Sequence, residues 1–169
     1  MPTSLPDQPA SSTDPHTFSD APTRPDVLVR RIHEKATLPR YQTEHAAGLD
    51  LSSCLPDGPV TLQPGDIALI PCGFAMALPV GFEAQVRPRS GLSVRHGISM
   101  PNAPGTVDAD YRGEMMVPLI NLGREAFVVE HAMRIAQMII APVSAARVHE
   151  VEALDETQRG HGGFGSTGV

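Results

Sequence analysis

The strongest restriction on the fold of this chain comes from a series of short apolar runs. Each run has the length of a β-strand rather than of a helix, and turn-forming residues such as Pro79-Val80-Gly81 separate neighbouring runs. The runs occupy residues 27–32, 66–70, 74–78, 83–86, 115–120, 126–129, 134–141 and 147–151. This pattern predicts an all-β domain, either a sandwich or a barrel.

We expect one short helix within this domain, at residues 90–96. Ser90 can cap its first turn, and Gly97 can end it in a left-handed conformation. Pro118 falls inside an apolar run and has no backbone N–H, so it must lie at an edge, an interface or a bulge.

The two ends of the chain differ from the middle in composition. Residues 1–25 are rich in Pro, Ser, Thr and Asp, which predicts a disordered N-terminal extension before a β-barrel domain at residues 26–153. Residues 154–169 become rich in glycine, as in a mobile tail. The other side chains among these glycines include Arg159, Phe164, Ser166 and Thr167. A cation, an aromatic ring and hydroxyls are the groups that a nucleoside triphosphate needs.

Charge and cysteine content narrow the range of functions. The net charge of −6 offers no basic surface for a nucleic-acid polymer. Cys54 and Cys72 fit neither a disulfide framework nor a metal-binding spacing. No apolar run approaches the roughly 18 residues of a membrane helix, and the N-terminus has no signal-peptide pattern. We therefore expect a cytoplasmic protein that binds neither membranes nor nucleic acid.

Arg89, Ser90 and Gly91 stand where the predicted helix begins. Free backbone N–H groups at a helix start bind phosphate, and a glycine lets a ligand approach the backbone. The alternative is an ordinary turn with a surface arginine.

Residues 102–114 combine a turn with acidic and aromatic residues. Pro104-Gly105 allows a sharp hairpin, whose backbone N–H and C=O groups can hydrogen-bond a base. Asp108 and Asp110 can bind a metal, orient a water molecule or simply solvate a loop.

Two further polar residues interrupt apolar surroundings. The carboxylate of Asp50 must point outwards or find a partner, and both a metal-proximal role and pairing with an arginine fit. The amide of Gln137 serves either a specific hydrogen bond or a partly buried structural one.

Taken in order, five segments resemble the five sequence motifs of the trimeric dUTPase family. They are AGLDL (47–51), PRSGL (88–92), GTVDADYRG (105–113), RIAQ (134–137) and RGHGGFGSTG (159–168). The resemblance covers residues 27–169 and implies a jelly-roll-like β-barrel or sandwich with one short helix. It also implies a homotrimer with active sites shared between subunits, in which residues 154–169 form an arm that closes over the active site.

The activity that the resemblance implies is Mg²⁺-dependent hydrolysis of dUTP to dUMP and pyrophosphate. This reaction limits uracil incorporation into DNA and supplies dUMP for dTMP synthesis. Asp108 is the implied general base for a water that attacks the α-phosphorus, and Tyr111 packs against the deoxyribose and excludes a 2′-hydroxyl. The residues that read uracil are Asn102, Gly105, Thr106 and Val107.

The resemblance assigns the remaining substrate contacts as follows. The residues that hold the phosphates are Arg89, Ser90, Gly91 and Gln137. The arm residues in contact with substrate are Arg159, Phe164, Gly165, Ser166 and Thr167, with Phe164 stacked on uracil. Met116 meets the nucleotide through its backbone. Mg²⁺ is held mainly by the triphosphate, and Asp50 acts on it through water only.

Two other functions compete with this prediction. A dCTP deaminase-like enzyme shares the architecture but attacks the base, and the closing arm together with the arrangement of Asp108 and Tyr111 argues against it. A dUTP-binding regulator keeps the pocket without efficient turnover, and the presence of Asp108 beside all five motifs argues against that function.

Overall fold

The computed structural model describes residues 24–163 and Ser166. Within this part the chain forms ten β-strands and one helix, and every strand pair is antiparallel. In chain order the elements are β1 (Leu28–Arg31), β2 (Leu49–Ser52), β3 (Val60–Leu62), β4 (Ile67–Ala77), β5 (Phe82–Pro88), α1 (Ser90–His96), β6 (Ile98–Ser99), β7 (Gly105–Val107), β8 (Glu114–Asn121), β9 (Phe127–Val129) and β10 (Arg134–Pro142).

Two four-stranded sheets enclose the core. Their strand orders are β1-β4-β8-β6 and β2-β10-β5-β7, and β3 and β9 form a small third sheet. One hydrophobic cluster contains Phe74 and Leu119 from the first sheet and Leu51 and Met138 from the second. Burying a side chain of this size contributes about 1.5–3 kcal/mol, so this shared core holds the sheets together. The predicted all-β fold with one short helix is confirmed.

Strand β4 merges two predicted runs, residues 66–70 and 74–78. Its register against β8 shifts between Pro71 and Ala75, which marks a β-bulge. Gly73 lies in the bulge with φ 75°, and an added Cβ would come within 2.7 Å of neighbouring side-chain atoms. Only glycine fits there, and the irregular residues around it divide one strand into two apparent runs.

The helix spans the predicted residues, and Gly97 ends it with φ 69° as expected. The prediction that Ser90 caps it was wrong. Arg89 is the N-cap residue, and no side chain makes a capping hydrogen bond. Because the backbone of Arg89 is still extended, with φ −90° and ψ 126°, Ser90 is already the first helical residue.

The strand predicted at residues 147–151 does not form. Val148 is 93% exposed, and no strand in the described part of the chain pairs with this segment. An apolar run without a partner cannot satisfy its backbone groups as a strand. Conversely, sequence analysis did not predict the short strands β2, β3, β6 and β7. They have only two to four residues each, which is too few to show an alternating hydrophobic pattern.

The predicted hairpin around Pro104-Gly105 was also wrong. Strand β6 pairs with β8 in the first sheet, whereas β7 pairs with β5 in the second. Residues 100–104 therefore connect the two sheets rather than fold one strand back on another.

Pro118 lies at an edge, as predicted. Strand β6 pairs with β8 only at Ile120 and Asn121, so within the described residues β8 has no neighbour on that side at Pro118. The same part of the chain contains no helix long and apolar enough to cross a membrane.

Candidate active site

The loop after β7 brings the predicted base and its neighbours into one cavity of about 350 Å³. We call it the Asp108 cavity. Its lining residues are Leu69, Asn102, Thr106, Val107, Asp108, Tyr111, Met115, Met116 and Pro118. Sequence analysis had missed Leu69, Met115 and Pro118, whose apolar character gave no signal of a site. Leu69 and Pro118 face each other across β4 and β8, so the paired strands form one wall.

Local hydrogen bonds hold the loop that carries Asp108. The backbone N–H of Tyr111 donates to the Asp108 carbonyl at 3.2 Å. Arg112 Nη1 donates to the carbonyls of Ala109 at 2.6 Å and Tyr111 at 2.8 Å. The Tyr111 hydroxyl donates to the Glu114 carbonyl at 2.8 Å. These bonds fix the backbone of the loop without using the Asp108 side chain.

The carboxylate of Asp108 is free to act on a ligand. Asp108 is exposed, and no side chain among the described residues forms a hydrogen bond or ion pair with its carboxylate. Nearby, Asn102 Nδ2 lies 3.1 Å from the position that a Cβ on Gly105 would occupy. The missing side chain of Gly105 thus lets the Asn102 amide approach the strand closely.

A second group of polar residues consists of Asp50, Arg89 and Arg134, and we call it the Asp50 cluster. Asp50 Oδ1 lies 3.4 Å from Arg89 Nε, and Asp50 Oδ2 lies 2.9 Å from Arg134 Nη1. Arg89 Nη1 also donates to the Arg134 carbonyl at 3.0 Å. The Asp50 side chain is only 14% exposed, so both arginines are held against a largely buried carboxylate.

Strand pairing brings these residues together. Strand β10 lies between β2 and β5, and Gln137 on β10 faces Asp50 on β2. Gln137 Nε2 donates to the Pro88 carbonyl at 3.0 Å, directly before the helix begins. Its amide therefore ties the end of β5 to the sheet, which is the structural alternative considered for this residue.

The Asp50 cluster has the charge and access that an anion requires. Two guanidinium groups share one carboxylate, which leaves an excess positive charge. Ser90 and Gly91 at the start of α1 are exposed, and a Cβ on Gly91 would have no atom within 4 Å. A phosphate group can therefore approach the backbone there.

Arg134 is a residue of this cluster that sequence analysis did not assign to the site. It begins the RIAQ segment, and its position at the start of an apolar strand is the only signal in the sequence. Its pairing with Asp50 joins residues 84 positions apart, which spacing alone does not reveal.

The glycine-rich end forms local contacts of its own. Arg159 Nε donates to the Gly162 carbonyl at 2.9 Å, and the N–H of Ser166 donates to the Gly163 carbonyl at 3.0 Å. The predicted contact residues Phe164, Gly165 and Thr167 lie outside the described residues. Within the described part of one chain, the arm residues line neither the Asp108 cavity nor the Asp50 cluster.

Two cysteines, Cys54 and Cys72, lie at the β4 bulge. Burial, followed by the charge of Glu114, raises the pKa of the Cys54 thiol above its ordinary value. Burial raises the pKa of Cys72 to about 12, with further contributions from Glu114 and Cys54. Glu114 Oε1 meanwhile accepts a hydrogen bond from the Gly73 N–H at 2.9 Å. Both thiols therefore stay protonated near neutral pH and are poor nucleophiles.

The dUTPase family model matches residues 34–168 of this chain. The chain belongs to the dUTPase family. The deoxyuridine 5'-triphosphate nucleotidohydrolase of Desulfotalea psychrophila is 59% identical over 142 residues, which cover 84% of this chain and 94% of that protein. The enzyme of the same name from Rhizobium etli is 58% identical over 150 residues, 87% of this chain and 96% of that protein.

A solved structure shows the same fold. It is the dUTPase of Staphylococcus bacteriophage 80alpha with dUPNHPP, which matches with a TM-score of 0.78 at 24% identity. The match covers 85% of this chain and 99% of the phage protein. The dUTPase fold is therefore retained across a large difference in sequence.

Proposed function

We propose that this dUTPase-family chain hydrolyses dUTP to dUMP and pyrophosphate by attack of water on the α-phosphorus. One observation carries the proposal, namely that a single cavity contains Asp108, Tyr111 and Asn102. A base, a ring for the sugar and an amide for the nucleobase are thereby combined in one place. The names of the relatives from Desulfotalea psychrophila and Rhizobium etli support the same substrate.

Asp108 is the general base in this proposal. Its carboxylate takes a proton from water, and the water oxygen forms a bond to the α-phosphorus. The bond between that phosphorus and the bridging oxygen to the β-phosphate breaks, and pyrophosphate leaves. The Asp108 carboxylate is exposed and has no side-chain partner among the described residues, which supports this role, since a base needs access to water.

Substrate selection is assigned to the walls of the Asp108 cavity. The Tyr111 ring packs against the deoxyribose and leaves no room for a 2′-hydroxyl. Asn102 and the backbone of Gly105, Thr106 and Val107 read the uracil edge, and the backbone of Met116 contacts the nucleotide. Such selection combines steric exclusion with hydrogen bonds that another base would leave unmade.

The phosphates are assigned to the Asp50 cluster and to the start of α1 next to it. Arg89 supplies a guanidinium, while Ser90 and Gly91 supply the free backbone of the helix start. Gln137 maintains this arrangement through its bond to Pro88. Asp50 keeps Arg89 and Arg134 in place, which is the arginine-pairing role rather than a metal-proximal one.

Mg²⁺ fits this site as a cation carried by the substrate. Among the described residues, no group of three His, Cys, Asp or Glu side chains could hold a metal ion, and both oxygens of Asp50 face arginines. When bound to the triphosphate, the ion neutralises phosphate charge. The protein's own part is to hold the phosphates and to position the base.

We also propose a homotrimer with shared active sites. In one chain the Asp108 cavity, the Asp50 cluster and the arm have no residue in common among those described. Each of these three groups supplies only part of the proposed active site. Such an arrangement suits an oligomer in which each site combines groups from different subunits. Light scattering on a size-exclusion column tests this, because a monomer at working concentrations would contradict it.

A cytoplasmic location belongs to the same proposal. Cys54 and Cys72 are both free and buried. Unpaired thiols are typical of a reducing compartment. Fractionation of the source cells tests the location, and recovery outside the cytoplasm would contradict it.

The first test is pyrophosphate release from dUTP, dTTP, dCTP and UTP with Mg²⁺. We expect turnover of dUTP alone. Ammonia release from dCTP would instead indicate a deaminase, and tight dUTP binding without turnover would indicate a regulator. The Asp108→Asn variant is the matched control, because it keeps the size of the side chain and removes the base.

A further inference from the structure

Gly113 lies directly beside the Tyr111 ring. A Cβ added to Gly113 would lie 2.4 Å from the hydroxyl oxygen of Tyr111, 2.6 Å from its Cζ and 3.0 Å from its Cε2. Non-bonded carbon atoms prefer about 3.5–4.0 Å, so any side chain at Gly113 would displace the ring. The phenol of Tyr111 occupies space that is free only because residue 113 is glycine.

A second contact fixes the same ring from its outer end. The Tyr111 hydroxyl donates to the Glu114 carbonyl at 2.8 Å. The Tyr111 side chain has two torsion angles. Both are restricted, because the ring lies against the backbone of Gly113 and its hydroxyl is bonded to the Glu114 carbonyl. The rest of the ring is exposed and lines the Asp108 cavity, with 44% of the residue accessible.

We propose that Gly113 determines the preference for deoxyribose, because its lack of a side chain sets the position of the Tyr111 ring. The inference rests on the proposed function, in which this ring excludes a 2′-hydroxyl. Gly113 is a positioning residue, since it acts through Tyr111. A misplacement of about 1 Å at a substrate-positioning group can cost about 100-fold in rate.

The substitution Gly113→Ala tests the inference with little risk to the fold. The φ angle of Gly113 lies outside the left-handed region, so alanine is compatible with the backbone. The nearest atoms to the new methyl belong to the partly exposed Tyr111 side chain and not to the backbone, so the ring can move outwards. We therefore expect the ring to move and its bond to Glu114 to break while the barrel stays folded.

The experiment measures kcat/KM for dUTP and for UTP in four proteins: wild type, Gly113→Ala, Tyr111→Ala and the double variant. We expect the dUTP/UTP ratio to fall about tenfold or more in Gly113→Ala. The double variant should match Tyr111→Ala, since the three atoms nearest to the methyl all belong to the ring. Equal thermal stability of wild type and Gly113→Ala separates this effect from unfolding.

A second measurement reports the ring itself. The chain has 2 tyrosines and no tryptophan. In a Tyr41→Phe background, Tyr111 is therefore the sole tyrosine, and its ring signals in a ¹³C-tyrosine NMR spectrum should shift when Gly113 becomes alanine.

Three results would overturn the inference: an unchanged dUTP/UTP ratio in folded Gly113→Ala, an unchanged ring spectrum, or a further loss of selectivity on adding the alanine to Tyr111→Ala. If Gly113→Ala unfolded but the double variant folded, the steric contact would be supported. A wild type that ignored dUTP, or accepted UTP equally, would contradict the proposed function instead.

Discussion

Asp108 and Asp50 are both carboxylates of the candidate site, but their surroundings are opposite. Asp50 is largely buried between Arg89 and Arg134, at 3.4 Å and 2.9 Å from their nitrogens. Asp108 is exposed at its cavity and has no such partner among the described residues. A carboxylate paired with arginines holds them in place, whereas an exposed carboxylate without such a partner is accessible to water and substrate. In the proposed function this difference supports Asp108 as the base and Asp50 as the residue that positions the arginines.

The two regions also differ in how the chain builds them. Most of the Asp108 cavity comes from one continuous stretch, residues 102–116. The Asp50 cluster joins β2, β10 and the residue after β5, which are distant in sequence and meet only through sheet pairing. Variants of each region therefore test whether the Asp108 cavity determines the rate of the reaction and the Asp50 cluster determines substrate binding.

Asp108→Asn should have the largest effect. Loss of a general base costs about 100- to 10,000-fold in turnover. We expect this fall in kcat with little change in KM, because the cavity walls are untouched. Steady-state pyrophosphate release measures both constants. Near-normal turnover in this variant would show that the two carboxylates do not differ as described.

Asp50→Asn should have an intermediate effect, mainly on binding. The amide carries no charge, so Arg89 and Arg134 lose their anchor, and we expect KM for dUTP to rise about tenfold. The Mg²⁺ concentration for half-maximal rate, measured at saturating dUTP, should not change. A large increase in that concentration would favour the metal-proximal role for Asp50. Arg134→Ala is the matched control, since it removes one partner of the same pair.

Arg112→Ala should have a smaller effect, confined to the Asp108 region. The variant removes the two hydrogen bonds from Arg112 that hold the loop carbonyls. We expect kcat to fall a few-fold, with KM nearly constant, because the two bonds are exposed to solvent and together contribute only about 1 kcal/mol to holding the loop. A change in KM alone would indicate that this loop serves binding rather than the reaction.

Cys72 contributes to a loss of folding stability at alkaline pH. Its pKa is about 12 in the folded protein and near the ordinary 9.0 when unfolded. Above about pH 9 the unfolded chain loses this proton first, so the free energy of unfolding falls with rising pH.

The expected slope from this thiol is at most about 1.4 kcal/mol per pH unit. Urea unfolding at about pH 8 and about pH 10 should therefore show a smaller decline for Cys72→Ala than for wild type. Equal declines in the two proteins would contradict this contribution.

Sequence patterns predicted the position of the helix correctly. Gly97 indicates where it ends, and no other segment of the sequence shows a sustained helical pattern. These patterns failed at residues 147–151, where apolar residues have no strand to pair with, and around Pro104-Gly105, where turn chemistry does not say which sheets the flanking strands join. The ion pairs of Asp50 depend on a register that no local pattern contains. The candidate site residues were predicted from the order of the five motifs along the chain, and no single residue was sufficient for that prediction.

The most direct test of the account is subunit complementation between the two regions. Asp108→Asn and Arg89→Ala chains are each expected to be poorly active, and equal amounts are unfolded together and refolded. If each site takes its Asp108 cavity from one subunit and its Asp50 cluster from another, about a quarter of the sites regain both wild-type parts, and about a quarter of wild-type activity returns. Activity no higher than the average of the two separate variants, in a refolded trimer, would contradict the shared site.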